Sequence, residues 1–374
     1  MHRPSRHSCR PASSRLSFRC LADDHCKALS SLVQVDVLLA AAEAAAAAGR
    51  IPPLGNLATA RVYLYRGTKD VVCACPGGGG GQAAPCAHAP RCPSLLADPD
   101  GSVNRTAEFF AALAADPAAQ VAFEASIPSQ HCMPTVDPWL SPASCGVNAP
   151  WAPPAMENCG YDGAGAALQH MYNGSLTPPP QGAGPDPTRL FAFDQTLYLN
   201  GTLFGGLATQ GFVYVPAACE PPAPASCRIH VAMHGCGMGY SFAAMNSSFV
   251  LHAGYGPWAD ANGIVILFPQ GGYFHEHGLT APAAQVGAGC FDGAFGGRVC
   301  AQRQGGGGKA QRLGQRPASA AAPAPPAGYG QTGPDYAFAG GPQTVQIRNM
   351  LIALGGPAYA PGAWQLTQGA QSRQ

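Results

Sequence analysis

The chain has 374 residues, of which 47% are hydrophobic and only 11% charged, and its formal net charge is +1. It is long enough to bury a large core in one big or two modest domains, and its charge balance gives no footing for nucleic acid or for an acidic membrane surface. No apolar run reaches the roughly eighteen residues that a membrane-spanning helix needs, and 48 glycines with 37 prolines point to many loops.

Fifteen cysteines are too many for a reducing compartment unless most bind metal. Close pairs such as Cys145 with Cys159 and Cys219 with Cys227 suit local disulfides. The odd count leaves at least one thiol free or paired between chains. N-x-[ST] sequons at Asn104, Asn173, Asn200 and Asn246 agree with a secreted route. The N-terminus points elsewhere: residues 1–29 begin with five arginines before the first acid, Asp23, and have no apolar core, so they are no secretory signal. They read as a transit-like segment or as sequence foreign to the native protein.

In chain order, residues 31–48 are a strong helix former, closed by Gly49 with Pro52 and Pro53 beyond. Residues 60–70 alternate as a strand that delivers Asp70 just past its end. Residues 73–102, rich in Gly, Pro, Ala and Cys, read as an inserted loop. Its Cys73, Cys75, Cys86, His88 and Cys92 could make a small metal site, but C-x-C is not the usual zinc spacing and secreted cysteines more often pair, so no metal is the favoured reading. A helix over 106–117 and a strand over 120–128 follow, and His131 lies just beyond. An aspartate after one strand and a histidine after the next, with a helix between, is how α/β-hydrolases lay out the last two members of their Ser, Asp, His triad. The aspartate would orient the imidazole, and the histidine would take and return the nucleophile's proton.

A cysteine-bracketed loop (145–159), a short helix (163–172) and a Pro/Gly linker (178–187) come next. Two strands, 189–199 and 211–219, lead into the stretch around which the chain is organised. CRIHVAMHGC (227–236) reads as a buried strand ending in a tight loop, 249–262 as a helical segment, and GIVILFPQ (263–270) as a second buried strand. Such a βαβ unit needs a parallel pair with a right-handed crossover. It puts His234, Gly235 and Cys236 at a strand's carboxyl end, where ligands sit and where a backbone N–H of the matching hydrolase loop helps form the oxyanion hole. His275, Glu276 and His277 do not share a helix face and read as exposed loop. Residues 296–327 are low-complexity sequence expected to be disordered, a last helix spans 344–354, and 356–374 form a flexible tail.

Seven segments in order resemble the extracellular polyhydroxybutyrate depolymerase family, secreted serine esterases with a circularly permuted α/β-hydrolase fold. They are NLATARVYLYRGTKD, CGYDGAGAALQHMY, LFAFDQTLYL, GFVYVPAAC, CRIHVAMHGC, AGYGPWADANGIVILFPQ and GYGQTGPDYAFAGGPQ. The resemblance covers most of residues 30–355, interrupted by the insertions 73–102 and 296–327. It implies an α/β fold with a central, mostly parallel sheet and helices on both faces. It also implies Asp70 as triad acid, His131 as base, the Cys236 backbone N–H as oxyanion donor, and disulfides Cys145–Cys159, Cys219–Cys227 and Cys236–Cys290. The implied partner is a polyester or short ester, with no cofactor, no nucleic acid and no membrane, in a secreted setting.

The family carries its G-x-S-x-G elbow ahead of the helix at 31–48, and this chain has no G-x-S-x-G anywhere. The nearest approach, Gly239-Tyr240-Ser241-Phe242-Ala243, lacks the last glycine and sits in the oxyanion loop, so Ser241 is not assigned as nucleophile. Two expectations follow. One is an esterase whose nucleophile-bearing N-terminal portion is missing from this sequence, residues 1–29 being a misread segment; the other is an inactive homologue that keeps a polyester- or ligand-binding fold. Phe291, Asp292 and Gly293 stand where the family is tryptophan-rich, and SIPSQ precedes His131 where the family usually has glycine. Both differences bear on polymer recognition.

Overall fold

The computed structural model describes residues 33–70, 101–147, 155–198, 207–220, 227–235, 237–240, 245–272, 291 and 339–355. Helix α1 (Val35–Ala47) buries Leu38, Ala42 and Ala45, residues three and four apart and therefore on one face. The chain leaves it through Gly49 at φ 67°, the left-handed position that closes helices. Strands β1 (Val62–Tyr65) and β2 (Val121–Glu124) pair in parallel, Val62 opposite Val121.

Between them lie α2 (Gly101–Ala111) and α3 (Pro117–Gln120), where the sequence pattern predicts a single helix over 106–117. The difference has a local cause. Asp116 caps a new turn by accepting the Ala119 N–H, and Pro117, in the first turn, has no N–H to lose there. The proline marks a start where its position in the pattern suggests a stop.

Strands β3 (Met133–Pro134) and β4 (Met156–Glu157) form a second parallel pair, followed by α4 (Gly163–Met171), capped by Asp162. The largest sheet contains β5 (Leu190–Asp194), β6 (Gln210–Tyr214), β7 (Arg228–Val231) and β8 (Ile264–Phe268) in the order β5-β6-β8-β7. Helices α5 (Ser248–His252) and α6 (Tyr255–Asn262) carry the chain from β7 to β8, and α7 (Pro342–Ala353) follows later. The expected βαβ unit is present, with β7 and β8 parallel.

The expectation of one central, mostly parallel sheet needs correction. Among the described residues the strands fall into three sheets, and the largest is mixed: β5–β6 and β6–β8 are antiparallel. Strands β5 and β6 follow one another with no crossover helix among the described residues, which suits antiparallel pairing, whereas α5 and α6 give β7 and β8 the crossover that a parallel pair requires. The fold is mixed α/β.

Strand β8 is buried along its whole length, and its alternation sorts the core into two layers. Ile264, Ile266 and Phe268 pack with Phe212, Tyr214, Phe249 and Trp258; Val265 and Leu267 pack with Val213, Met350 and Leu354. A strand covered on both faces reads as a continuous apolar run, as GIVILF does. Tyr214 is fully buried, and its hydroxyl donates to Asp260 Oδ2 at 2.6 Å while accepting the Asp186 N–H at 3.1 Å. Tyr214→Phe is expected to cost about 1–2 kcal/mol, readable by urea denaturation.

Disulfides Cys145–Cys159 and Cys219–Cys227 are both formed. Cys236 and Cys290 lie outside the described residues, as do residues 1–29, the cysteine-rich part of the first insertion, residues 296–327, His275, Glu276 and His277. No described helix is long and apolar enough to cross a membrane.

Candidate active site

Because β1 and β2 are parallel neighbours, the loops that follow them leave the same edge of their sheet. The two loops then run side by side. Arg66 N–H donates to Glu124 O at 2.9 Å, Thr68 N–H to Ile127 O at 2.8 Å, and Lys69 N–H to Ser129 O at 3.1 Å. The Tyr65 hydroxyl sits 2.6 Å from Ser129 Oγ. At Gly67 the backbones are so close that a Cβ would lie 2.2 Å from Ser129 O. This backbone zipper ends with Asp70 and His131 facing each other, Nδ1 to Oδ2 at 3.0 Å. The His131 side chain is 45% exposed and that of Asp70 22%.

A third segment buttresses the pair from below. Glu157, fully buried, accepts the Gly146 N–H at 2.7 Å and the Gln130 N–H at 3.1 Å on the same oxygen, Oε2. Gly146, at φ 65°, also accepts from Lys69 Nζ at 3.5 Å and Gln130 Nε2 at 3.4 Å. With Nδ1–H donated to Asp70, Nε2 is the lone-pair nitrogen of the ring, the tautomer a general base requires.

The loop after β7 is braced from the end of β8. His234 is 4% exposed; its Nε2 accepts the Gly271 N–H at 3.0 Å and its Nδ1–H donates to Gly235 O at 2.7 Å. Burial lowers its pKa to about 4, so the ring is neutral at physiological pH. Gly239 packs on that ring, where a Cβ would come within 2.8 Å, and Tyr240 N–H donates to Gln270 Oε1 at 2.8 Å. Cys236 and Ser241 lie outside the described residues.

No protein-family model matches the chain. It is 28% identical over 249 residues to the poly(3-hydroxybutyrate) depolymerase of Delftia acidovorans, covering 67% of this chain and 42% of that protein. It is 36% identical over 155 residues to the polyhydroxybutyrate depolymerase of Talaromyces funiculosus, covering 41% of this chain and 42% of that protein. The chain is homologous to the polyhydroxybutyrate depolymerases. A solved PHB depolymerase complexed with an R3HB trimer shares the fold, with a TM-score of 0.50 at 23% identity over 80% of this chain and 71% of that one. The match spans 42% of the length of each curated relative.

Two further features of the chain resemble parts of an active site. Cys132, the free cysteine among the described residues, follows His131 directly. Burial pushes its thiol up to about 12, with the Glu157 carboxylate adding to the effect, so it stays protonated and inert. Alkylation of the native protein with iodoacetamide at mildly alkaline pH should leave Cys132 unmodified in peptide mass spectra.

The second feature, which sequence reasoning missed, is another His–Asp contact: His252 Nδ1 lies 3.0 Å from Asp137 Oδ2. Asp137 lines a cleft of about 480 Å³ with Thr135, Asp162, Pro178 and Trp258. Here the ring is covered by Trp139, stacked at 4.3 Å, and Asp137 Oδ1 accepts the Trp139 N–H at 2.8 Å. Its neighbour Asp162 is engaged by Gly165 N–H at 2.8 Å and Trp258 Nε1 at 2.7 Å. These contacts organise loops and a helix start.

Among the described residues, Cys145, Glu157 and Cys159 are the one His/Cys/Asp/Glu group compact enough to hold a metal ion. Its two sulfurs are joined in a disulfide and offer no thiolate ligands.

Proposed function

We propose that the protein is a secreted serine esterase of the depolymerase type, acting on ester bonds of an aliphatic polyester or its short oligomers. Asp70 is the acid, His131 the base and the Cys236 backbone N–H an oxyanion donor. The 3.0 Å contact between Asp70 and His131, reached from two separate loops, carries the reading, and the homology to two depolymerases supports it. Asp70 holds the imidazole in the Nδ1–H tautomer, which makes Nε2 the basic nitrogen. That nitrogen takes the proton of a seryl hydroxyl as its Oγ attacks the ester carbonyl, then returns it to the departing alkoxide; water repeats the sequence to release the acid. The R3HB trimer bound by the solved relative has the chemistry this reading expects of a substrate.

We read the strands as parts of a circularly permuted α/β-hydrolase. In an unpermuted chain the oxyanion loop precedes the acid and base, whereas here Asp70 and His131 come before the loop at 234–236. The two disulfides support a secreted setting.

The mechanism needs a serine on a nucleophile elbow, and these 374 residues contain no G-x-S-x-G. That absence favours a second reading, an inactive homologue that retains a polyester-binding fold. The two part on one experiment: sequencing the 5′ end of the transcript and treating its full translation product with a fluorophosphonate. The esterase reading expects an in-frame strand, G-x-S-x-G and helix, a single labelled serine there, and hydrolysis of R3HB oligomers that His131→Ala abolishes. A transcript without the elbow, with an unlabelled product that still binds the oligomers, establishes the inactive homologue. An adduct on Ser241 overturns the assignment of the nucleophile to an elbow.

A further inference from the structure

We propose that Glu157 is a positioning residue for His131: its buried carboxylate clamps the base-bearing loop to the disulfide-closed loop and so holds the ring in register with Asp70. The proposal rests on the reading of Asp70 and His131 as an acid–base pair.

The clamp is a single oxygen atom. Glu157 Oε2 accepts the N–H of Gln130, the residue immediately before His131, at 3.1 Å, and the N–H of Gly146, the residue immediately after Cys145, at 2.7 Å. Both distances lie within the range of well-formed N–H···O hydrogen bonds. The zipper between the two active-site loops makes its last backbone bond at Ser129, so the Gln130 contact extends the anchoring up to the base itself.

Both ends of the clamp are fixed in turn. Glu157 lies on β4 opposite Pro134 of β3, directly downstream of His131, and two residues ahead of Cys159. Cys159 is bonded to Cys145, which sets the separation between Glu157 and Gly146. Gly146 fits because it has no side chain: at φ +65° a Cβ would stand 2.3 Å from Pro128 O.

The same side chain also acts on Cys132, the residue immediately after His131, whose thiol it helps to keep protonated.

Imidazole ¹⁵N shifts, which report the nitrogen that carries the proton, test the proposal on the intact chain at a pH where the ring is neutral. His131 signals are assigned by their loss in His131→Ala. In the native chain His131 is expected as the Nδ1–H tautomer that Asp70 selects. Glu157→Ala should turn it into the mixture typical of an untethered ring, and Glu157→Gln, which keeps an acceptor oxygen, should retain more Nδ1–H than the alanine variant. Should the alanine variant not fold, Glu157→Asp, which retracts the carboxylate by one methylene, carries the same expectation.

Asp70→Ala keeps the two claims separate. If the Nδ1–H tautomer survives Asp70→Ala, the acid–base reading fails. If Asp70→Ala removes it but the folded Glu157 variants keep it in full, the acid–base pair stands and the positioning role of Glu157 is overturned. Lower thermal stability with an unchanged tautomer counts as that second outcome.

Discussion

Gly67→Ala should destabilise the protein by about 3 kcal/mol and pull His131 away from Asp70. The added Cβ would stand 2.2 Å from Ser129 O and 2.3 Å from Ser129 Oγ. A rotamer change at Ser129 relieves only the second contact. The carbonyl oxygen is backbone, held by the Lys69 N–H at 3.1 Å, while Thr68 N–H holds Ile127 O at 2.8 Å on the same loop. The strain therefore leaves by separating the two loops, and their separation is what decides whether Asp70 reaches His131. Urea denaturation should report the lost stability, and the His131 ¹⁵N shifts the lost contact. Gly49→Ala is the matched control: it imposes φ +67° on a side chain but meets nothing within 4 Å, so it should cost only about 1 kcal/mol and leave His131 unchanged. Equal effects from the two variants would mean that the close approach at Gly67 is not what registers the site.

How much of this was readable in the sequence depends on whether the information is local. The meeting of Asp70 with His131 was legible because each lies just past a run that reads as a strand, and parallel neighbouring strands release their loops at the same edge. The β7–α5–α6–β8 unit was legible because one strand is continuously apolar and the intervening segment is long enough to cross over. Strand direction elsewhere was not: the apolar run 211–215 does not say which edge of β8 it joins, and β6 takes the antiparallel side. Strands β3 and β4 have two residues each, too few for any periodicity, so nothing in the sequence singles out Glu157 within the cysteine-bracketed loop. His234 was read as part of an oxyanion loop from its place after a strand. Its role as a brace depends on Gly271, on the other side of a crossover, which no spacing rule identifies.

That brace predicts an acid weakness. Stability should fall by about 3 kcal/mol between pH 6.5 and about 4, through His234. Burial lowers its folded-state pKa from 6.5 to about 4, so in that interval the unfolded chain binds a proton that the folded chain refuses. Stability is therefore complete above the unfolded value and is lost progressively as pH falls towards the folded one. The chemistry is specific: Nε2 accepts the Gly271 N–H, and a protonated ring would set two donors against each other while charging a site that Phe249 and Phe291 enclose. His230, also lowered to about 4 by burial, acts in the same direction, but it is only partly buried on β7 and contributes less. Glu124 and Asp186, held below the usual carboxylate range by hydrogen bonds from Ser126 and Thr188, begin to lose their stabilisation only as pH falls towards their ordinary values of 4.5 and 3.8, and Asp260, raised by burial, acts in the opposite sense, so the slope in the upper part of the window reports the histidines. Urea denaturation across the interval measures the slope. His234→Gln, which can still offer an oxygen to Gly271 but does not titrate, should flatten most of it; a variant as acid-sensitive as the native chain would place the weakness elsewhere than in the loop that carries Gly235 and Cys236.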